Sequence, residues 1–280
     1  MLGIGAQKAG TTWLYDYVKD APGFAAGYRK EYHVFDARDL AEEQWLLENH
    51  VRDAERSLQD LRQRGKARAG VVHRAAMVAE PRFYFDYFTG LLASREGAQL
   101  AADVTPDYCL LSGERFASIR TQFERRRVRV APVFLMRDPV ERIHSTLRMM
   151  ERVGTDFFTG SPEQALLEHH RRANLEKRTR YDRTIASLEH AFRPDEVFYG
   201  FYEELFSTSE VRRLCDFLAV PFHEPALDKR SNAAPQPAED LPEQTVQAVA
   251  THYRPVYEFM ADRFGRDKVL RLWPSARFVL

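Results

Sequence analysis

The 280-residue chain has only two cysteines, Cys109 and Cys215, far apart in sequence, so it offers neither a C-x-x-C pair nor a disulfide framework. No stretch approaches the roughly 18 consecutive apolar residues that a membrane-crossing helix needs. The opening residues Met1-Leu2-Gly3-Ile4-Gly5 lack the basic start, apolar run and small-residue cleavage site of a secretory signal. A surplus of charge is missing too: Lys plus Arg and Asp plus Glu stand at 41 each, so no global field draws the chain to nucleic acid or anionic lipid. Any anion site must be local. There is no internal repeat and no low-complexity tract, and 14 glycines and 14 prolines are too few for a disordered or collagenous chain. What remains, 44% hydrophobic and 29% charged, reads as one soluble domain over residues 1–280, with the cytoplasm as its expected location and neither nucleic acid nor membrane as partner.

Along the chain, residues 1–5 read as a short strand, residues 5–12 as a loop, and the bulky residues from Thr11 onward have helical spacing. Residues 39–64 predict one long exposed helix, rich in Glu, Leu, Arg and Gln without Pro or Gly. Strands are expected at 100–104, 128–136 and 196–201, and a further one around 24–27. Asp138-Pro139 opens a helix that continues through Ile143, Leu147 and Met150; others are expected over 161–178, 207–218 and 242–264. The strand at 128–136 is apolar on both faces, as in the interior of a parallel sheet. Strands alternating with helices predict a three-layer α/β domain around a central parallel sheet.

Gly5-Ala6-Gln7-Lys8-Ala9-Gly10-Thr11-Thr12 occupies a strand-to-helix junction, where glycines let backbone N–H groups turn toward an anion and the helix dipole adds to the attraction. It matches the nucleotide loop G-x-x-x-x-G-K-[ST] in both glycines and in Thr12, but the lysine has moved inward to Lys8 and Thr11 takes its place. Spacing alone leaves open an ordinary tight turn, a P-loop kinase using ATP and Mg²⁺, a non-catalytic nucleotide-binding module and an interaction scaffold. Arg137-Asp138, at the end of an apolar strand, reads either as a Walker-B aspartate, as a charge pair at a helix start, or as a cationic fork for a phosphate. The arginine beside the aspartate repels a metal ion and favours the phosphate, with Ser145 two turns into the next helix able to reach the same group.

Two segments then resemble sulfotransferases that use 3′-phosphoadenosine 5′-phosphosulfate (PAPS). Residues 5–13, G-x-x-K-x-G-T-T-W, look like that family's 5′-phosphosulfate loop, and Arg137-Asp138-Pro139 with Ser145 eight residues on looks like its 3′-phosphate motif. Lys30-Glu31-Tyr32-His33-Val34-Phe35-Asp36 is similar to the K-E-x-H-[FY]-F-D segment of the heparan-sulfate type and its bacterial relatives, with Val34 in place of an aromatic residue. Residues 102–108 resemble the family's G-E-x-[ST]-P-x-Y segment, with Asp103 replacing glutamate.

The resemblance implies a P-loop-like fold, PAPS as sulfuryl donor, adenosine 3′,5′-bisphosphate as product, no metal, and a glycan or small-molecule acceptor. It implies Gln7, Lys8, Ala9, Gly10, Thr11, Thr12, Trp13, Arg137 and Ser145 at the donor, with Lys8 also at the reacting centre. Glu31 is implied as general base, with His33 as the alternative because a histidine does this in the aryl and steroid branch; Asp103 is implied as an orienting group. Lys229 and Arg230, in the loop 228–240, weakly resemble basic residues that other members place over the 3′-phosphate. From the residues alone Glu31 also fits a solvated loop carboxylate, His33 a half-buried imidazole and Asp103 a cap. The basic runs 125–127 and 169–172 read as solvated helix ends.

Overall fold

A computed structural model describes residues 1–154, 161–225 and 241–280. In chain order the elements are β1 (Leu2–Gly5), α1 (Thr11–Lys19), α2 (Phe35–Asp39), α3 (Gln44–Arg64), α4 (Ala69–Ala79), α5 (Arg82–Ser94), β2 (Asp103–Val104), α6 (Gly113–Glu124), β3 (Pro132–Met136) and α7 (Pro139–Arg152). They continue with α8 (Pro162–His169), α9 (Ala173–Lys177), α10 (Tyr181–Ala191), β4 (Phe198–Phe201), α11 (Tyr202–Leu205), α12 (Thr208–Leu218), α13 (Glu243–His252), α14 (Arg254–Phe264) and α15 (Arg266–Leu272).

The four strands form one parallel sheet in the order β2-β1-β3-β4, flanked by helices, as the alternation of elements predicts. Every residue of β1, β3 and β4 is buried, which is why their sequences run apolar without alternation. Leu2 pairs with both Asp103 and Pro132, and Val133 to Met136 pair with Phe198 to Phe201. The order puts β1 and β3 side by side in the middle, so the loop after β1 and the Arg137 turn after β3 leave the same edge of the sheet. The carboxyl edge of central parallel strands is where such folds place ligands.

Several elements are shorter than their sequences predict. The strand expected at 128–136 starts at Pro132, because β1 supplies no partner upstream of Leu2. The strand expected at 100–104 is reduced to Asp103–Val104, and its partner around 24–27 to a single parallel bridge, Phe24 to Leu100. Residues 39–64 are not one helix: α2 ends at Leu40, whose backbone is extended, and α3 begins after a turn of 3-10 helix at Ala41–Glu43. The helix expected over 161–178 breaks at His170, whose Nδ1 lies 3.0 and 2.9 Å from the carbonyls of Leu166 and Leu167 and competes for them at the helix end. Residues 242–264 split at Tyr253, because Pro255 cannot donate an N–H to continue the ladder. His169 and His170 are buried rather than solvated.

Candidate active site

The loop between β1 and α1 turns through three residues at positive φ. Gly5, Lys8 and Gly10 have φ of 129°, 69° and 89°. The Ala6 N–H donates to the Leu135 carbonyl at 2.6 Å, tying the loop to β3, and the Ala9 N–H closes it on Ala6 at 3.1 Å. Gly10 is the N-cap of α1 and has no side chain with which to cap it, which leaves the first-turn amides of Thr11, Thr12 and Trp13 for an anion. A Cβ on Gly10 would come within 2.6 Å of Leu205 Cδ2, so glycine is required by space as well as by φ.

This loop forms one wall of a cavity of about 530 Å³. Gln7, Lys8, Gly10, Thr11, Thr12 and Trp13 line it together with Glu31, His33, Arg137 and Ser145, so residues up to 138 positions apart in sequence meet at one site. Ala9 and Asp103 do not line it: Ala9 is fully buried in the loop, and Asp103 lies behind the wall. Lys229 and Arg230 lie outside the described residues.

Cations gather around Lys8. Arg137 Nη1 donates to the Lys8 carbonyl at 3.3 Å, Nη2 pairs with Glu141 at 3.2 Å, and the guanidinium lies 4.5 Å from the Tyr202 ring centroid. Burial lowers the Lys8 pKa, and Arg152, Arg137 and Arg148 push it down further. Arg148 and Arg152 escaped the reading of the sequence, yet the signal is there: they follow Ser145 by three and seven residues, on the same face of α7. Aromatic rings also line the cavity, Trp13 stacking on Tyr17 at 5.5 Å and meeting Phe206 edge-on at 5.4 Å.

Asp138 faces away from the cavity. It is fully buried; Oδ1 caps α7 by accepting from the Val140 N–H and also takes the Tyr257 hydroxyl, while Oδ2 accepts from the Ser275 N–H. Its carboxylate is thus committed to holding the chain, which is not the placement of a Walker-B metal ligand. The Asp138 N–H donates to Glu203 Oε1 at 3.1 Å, and burial raises Glu203 to about 7.

A second group of lining residues belongs to the segment Lys30 to Val34. Lys30 Nζ donates to Thr12 Oγ1 at 3.0 Å and to Glu31 Oε1 at 2.8 Å, joining this segment to the loop. Glu31 Oε2 is 3.4 Å from His33 Nε2, and His33 Nδ1 is 2.5 Å from Asp36 Oδ2. Burial alone would raise Glu31, but the bond from His33 and the charge of Lys30 hold it down at about 2. Burial alone would lower His33, but Asp36 and Glu31 outweigh it and raise the imidazole to about 10. At neutral pH the carboxylate is therefore ionised and the imidazole already protonated.

The backbone of this segment hangs on Asp103, which is 1% exposed. Its Oδ1 accepts from the Tyr32 N–H at 3.3 Å and Thr105 Oγ1 at 2.6 Å; its Oδ2 accepts from the Tyr84 and Tyr108 hydroxyls, each at 3.0 Å. Asp103 holds this segment directly at Tyr32, the residue between Glu31 and His33, and indirectly through Tyr108, whose hydroxyl also accepts from the Val34 N–H at 3.1 Å. Ligand atoms of His33, Asp36 and Asp107 lie within 4.8 Å of one another, but His33 and Asp36 are bonded together and Asp107 takes Arg178 Nε at 2.6 Å. Neither basic run, 125–127 or 169–172, lines the cavity.

A model described as the sulfotransferase family matches residues 2–224. The fold resembles the sulfotransferase from Alicyclobacillus acidocaldarius with a TM-score of 0.59, at 16% identity over 93% of each chain. The sulfotransferase domain of the Synechococcus PCC 7002 olefin synthase is a more distant match, with a TM-score of 0.48 at 19% identity over 90% of this chain and 93% of that one. No curated protein matches the chain in sequence. No helix among the described residues is long and apolar enough to cross a membrane.

Proposed function

Because the chain belongs to the sulfotransferase family, we propose that it moves a sulfuryl group from PAPS to a hydroxyl, or less readily an amine, of a glycan or small-molecule acceptor, with residues 1–280 acting as one domain. The observation that carries this reading is the meeting, in one cavity, of Lys8 and Arg137, with Arg148 and Arg152 acting on Lys8, and an ionised Glu31 that Lys30 ties to the loop. The donor supplies a sulfuryl group on a 5′-phosphate leaving group. In an in-line displacement the acceptor oxygen forms the new S–O bond as the bond to that phosphate breaks, so negative charge moves from the entering side to the leaving side.

The residues present fit such a donor. The buried Arg148 Nε has no hydrogen-bond partner among the described residues, and a cluster that depresses the Lys8 pKa is relieved by an anion. The helix N-terminus at Thr11 and Thr12 offers amides to a 5′-phosphate, Arg137 and Ser145 suit a 3′-phosphate, and Trp13 with Phe206 gives an aromatic wall for a purine. On the opposite side Glu31 accepts the acceptor proton as the oxygen becomes acidic. His33, which already holds a proton, fixes that carboxylate rather than competing for the base's task. A kinase using ATP and Mg²⁺ is less well served, because Asp138 is committed to Val140, Tyr257 and Ser275.

The test is Glu31→Gln, assayed by transfer of radiolabelled sulfate beside calorimetry with adenosine 3′,5′-bisphosphate. Nucleotide affinity should persist while turnover falls by roughly two to four powers of ten. Undiminished turnover removes Glu31 as base, and stabilisation by ATP·Mg²⁺ but not by the bisphosphate in thermal unfolding overturns the donor.

A further inference from the structure

Around Glu31 four carboxylates (Glu31, Asp36, Glu43 and Asp107) stand against three cations bonded to them, Lys30, His33 and Arg178, while Arg74, which also acts on Asp36, is itself paired with Asp53 at 3.8 Å. Each of these cations is already bonded to a carboxylate. Lys30 holds Glu31 at 2.8 Å and His33 holds Asp36 at 2.5 Å; Arg178 holds Asp107 at 2.6 Å with Nε and Glu43 with Nη2. The contrast with the surroundings of Lys8, where the buried Arg148 Nε has no partner among the described residues, is one of sign as well as of saturation. Among the described residues an anion arriving beside Glu31 finds no free cation and meets a surplus of negative charge.

The same wall carries an uncovered aromatic surface. Trp45, in the first turn of α3, lines the cavity and is 54% exposed, whereas Trp13 and Trp273 are buried. Its Nε1 donates to Glu43 Oε2 at 2.8 Å, and Glu43, 6% exposed, is itself bonded to the buried Arg178. The indole is thus pinned by its polar edge while its ring remains open to the cavity. Leu46 and Pro106 extend this apolar wall. An aromatic ring held in place in this way loses little freedom when a flat apolar surface covers it, so burial of that area is recovered with little opposing cost.

We infer that the acceptor is an uncharged hydroxyl compound whose flat apolar face stacks on Trp45, and that the carboxylates around Glu31 reject anionic acceptors. This rests on the sulfotransferase reading above and narrows its acceptor. Polyanionic glycans are excluded; neutral glycosides of apolar groups are the class that fits.

A matched pair of probes tests it. The full chain saturated with adenosine 3′,5′-bisphosphate is titrated by calorimetry with 4-nitrophenyl β-glucoside and with 4-nitrophenyl β-glucuronide, which adds one carboxylate to the same frame. The glucoside should bind roughly tenfold or more tightly than the glucuronide. Trp45→Ala should weaken the glucoside by roughly tenfold with bisphosphate affinity unchanged, while Trp45→Phe keeps most of it. The inference is overturned if the glucuronide binds as well as the glucoside, if the glucoside does not bind at millimolar concentration, or if Trp45→Ala binds it like the wild type. Failure of the bisphosphate itself to bind overturns the underlying reading and this inference with it.

Discussion

Replacing Asp103 separates a residue that holds the site from one that does its chemistry. The carboxylate receives four donors, the Tyr32 N–H and the hydroxyls of Thr105, Tyr84 and Tyr108, in a place with no exposure to solvent worth the name. Asp103→Asn keeps an oxygen for Tyr32 and Thr105 and turns Nδ2 toward two tyrosine hydroxyls that can rotate to accept. Asp103→Ala leaves the three hydroxyls facing a void, while the Tyr32 N–H keeps Thr105 Oγ1 at 3.1 Å, and unsatisfied buried donors at roughly 1–3 kcal/mol each make a loss of about 3 kcal/mol or more the expected result. The charge adds a second signature. Burial raises Asp103 from 3.8 to about 6, equivalent to roughly 3 kcal/mol against the ionised form. A carboxyl whose pKa is raised on folding contributes stability that is present below 3.8 and lost as pH climbs through about 6. The asparagine variant has no such loss, so its stability relative to wild type should improve by roughly 3 kcal/mol between pH 4 and pH 7.5. Urea unfolding of both proteins at the two pH values reads this difference, with sulfate transfer at pH 7.5 as the companion measurement. Asp103→Asn should keep activity within about tenfold, because Tyr32 remains anchored; Asp103→Ala should lose stability and activity together. An Asp103→Asn variant of wild-type stability and intact bisphosphate binding but no turnover would place Asp103 in the proton chemistry and refute the positioning role.

Arg137→Ala should weaken adenosine 3′,5′-bisphosphate by roughly ten- to a hundredfold, the worth of charged hydrogen bonds, while adenosine 5′-monophosphate binding changes little; calorimetry on both nucleotides checks it, and an undiminished preference for the bisphosphate assigns the 3′-phosphate elsewhere. His33, raised to about 10 by Asp36 and Glu31 against its burial, stabilises the fold fully below 6.5, and this contribution is lost as pH rises through about 10. The stability advantage of wild type over His33→Ala should therefore shrink between those values, and an imidazole resonance titrating below pH 7 contradicts the arrangement. Lys8→Ala should reduce turnover far more than bisphosphate affinity in single-turnover assays, because its charge is needed most as the leaving oxygen becomes negative; an equal loss in both makes it a binding residue only.

What was legible in the sequence was whatever a short stretch of chain decides alone. The glycines at 5 and 10 require a turn that side chains other than glycine cannot make, and the apolar run ending at Met136 requires burial on both faces. Each gives its element and its edge of the sheet. Strand lengths were not legible, because β3 begins where β1 begins, a fact of pairing between residues about 130 apart. The helix break at His170 depends on an imidazole turning back on its own carbonyls. For the site, Glu31 and Lys8 stood out by motif and Asp103 as an orienting group by resemblance, but what Asp103 orients was not legible, because its partners Tyr32 and Tyr84 come from separate segments. Arg148 and Arg152 were readable from helical spacing once Ser145 had been placed. Trp45 was not: its meaning lies in the bond to Glu43 and in what fails to cover it.

The capping of Asp138 ties the Arg137 turn to residues far downstream in the chain. The turn that presents Arg137 is held from behind by the Tyr257 hydroxyl and the Ser275 N–H, the latter 137 residues downstream, and Trp273 Nε1 reaches Glu203, which in turn binds the Asp138 N–H. During synthesis the loop, β3 and α7 are all outside the exit tunnel long before these contacts can form, since domains are made from the N-terminus at a few residues per second. A nascent chain halted before residue 273 carries every motif of the donor site yet leaves a buried carboxylate short of donors, and should not retain adenosine 3′,5′-bisphosphate where the released protein does.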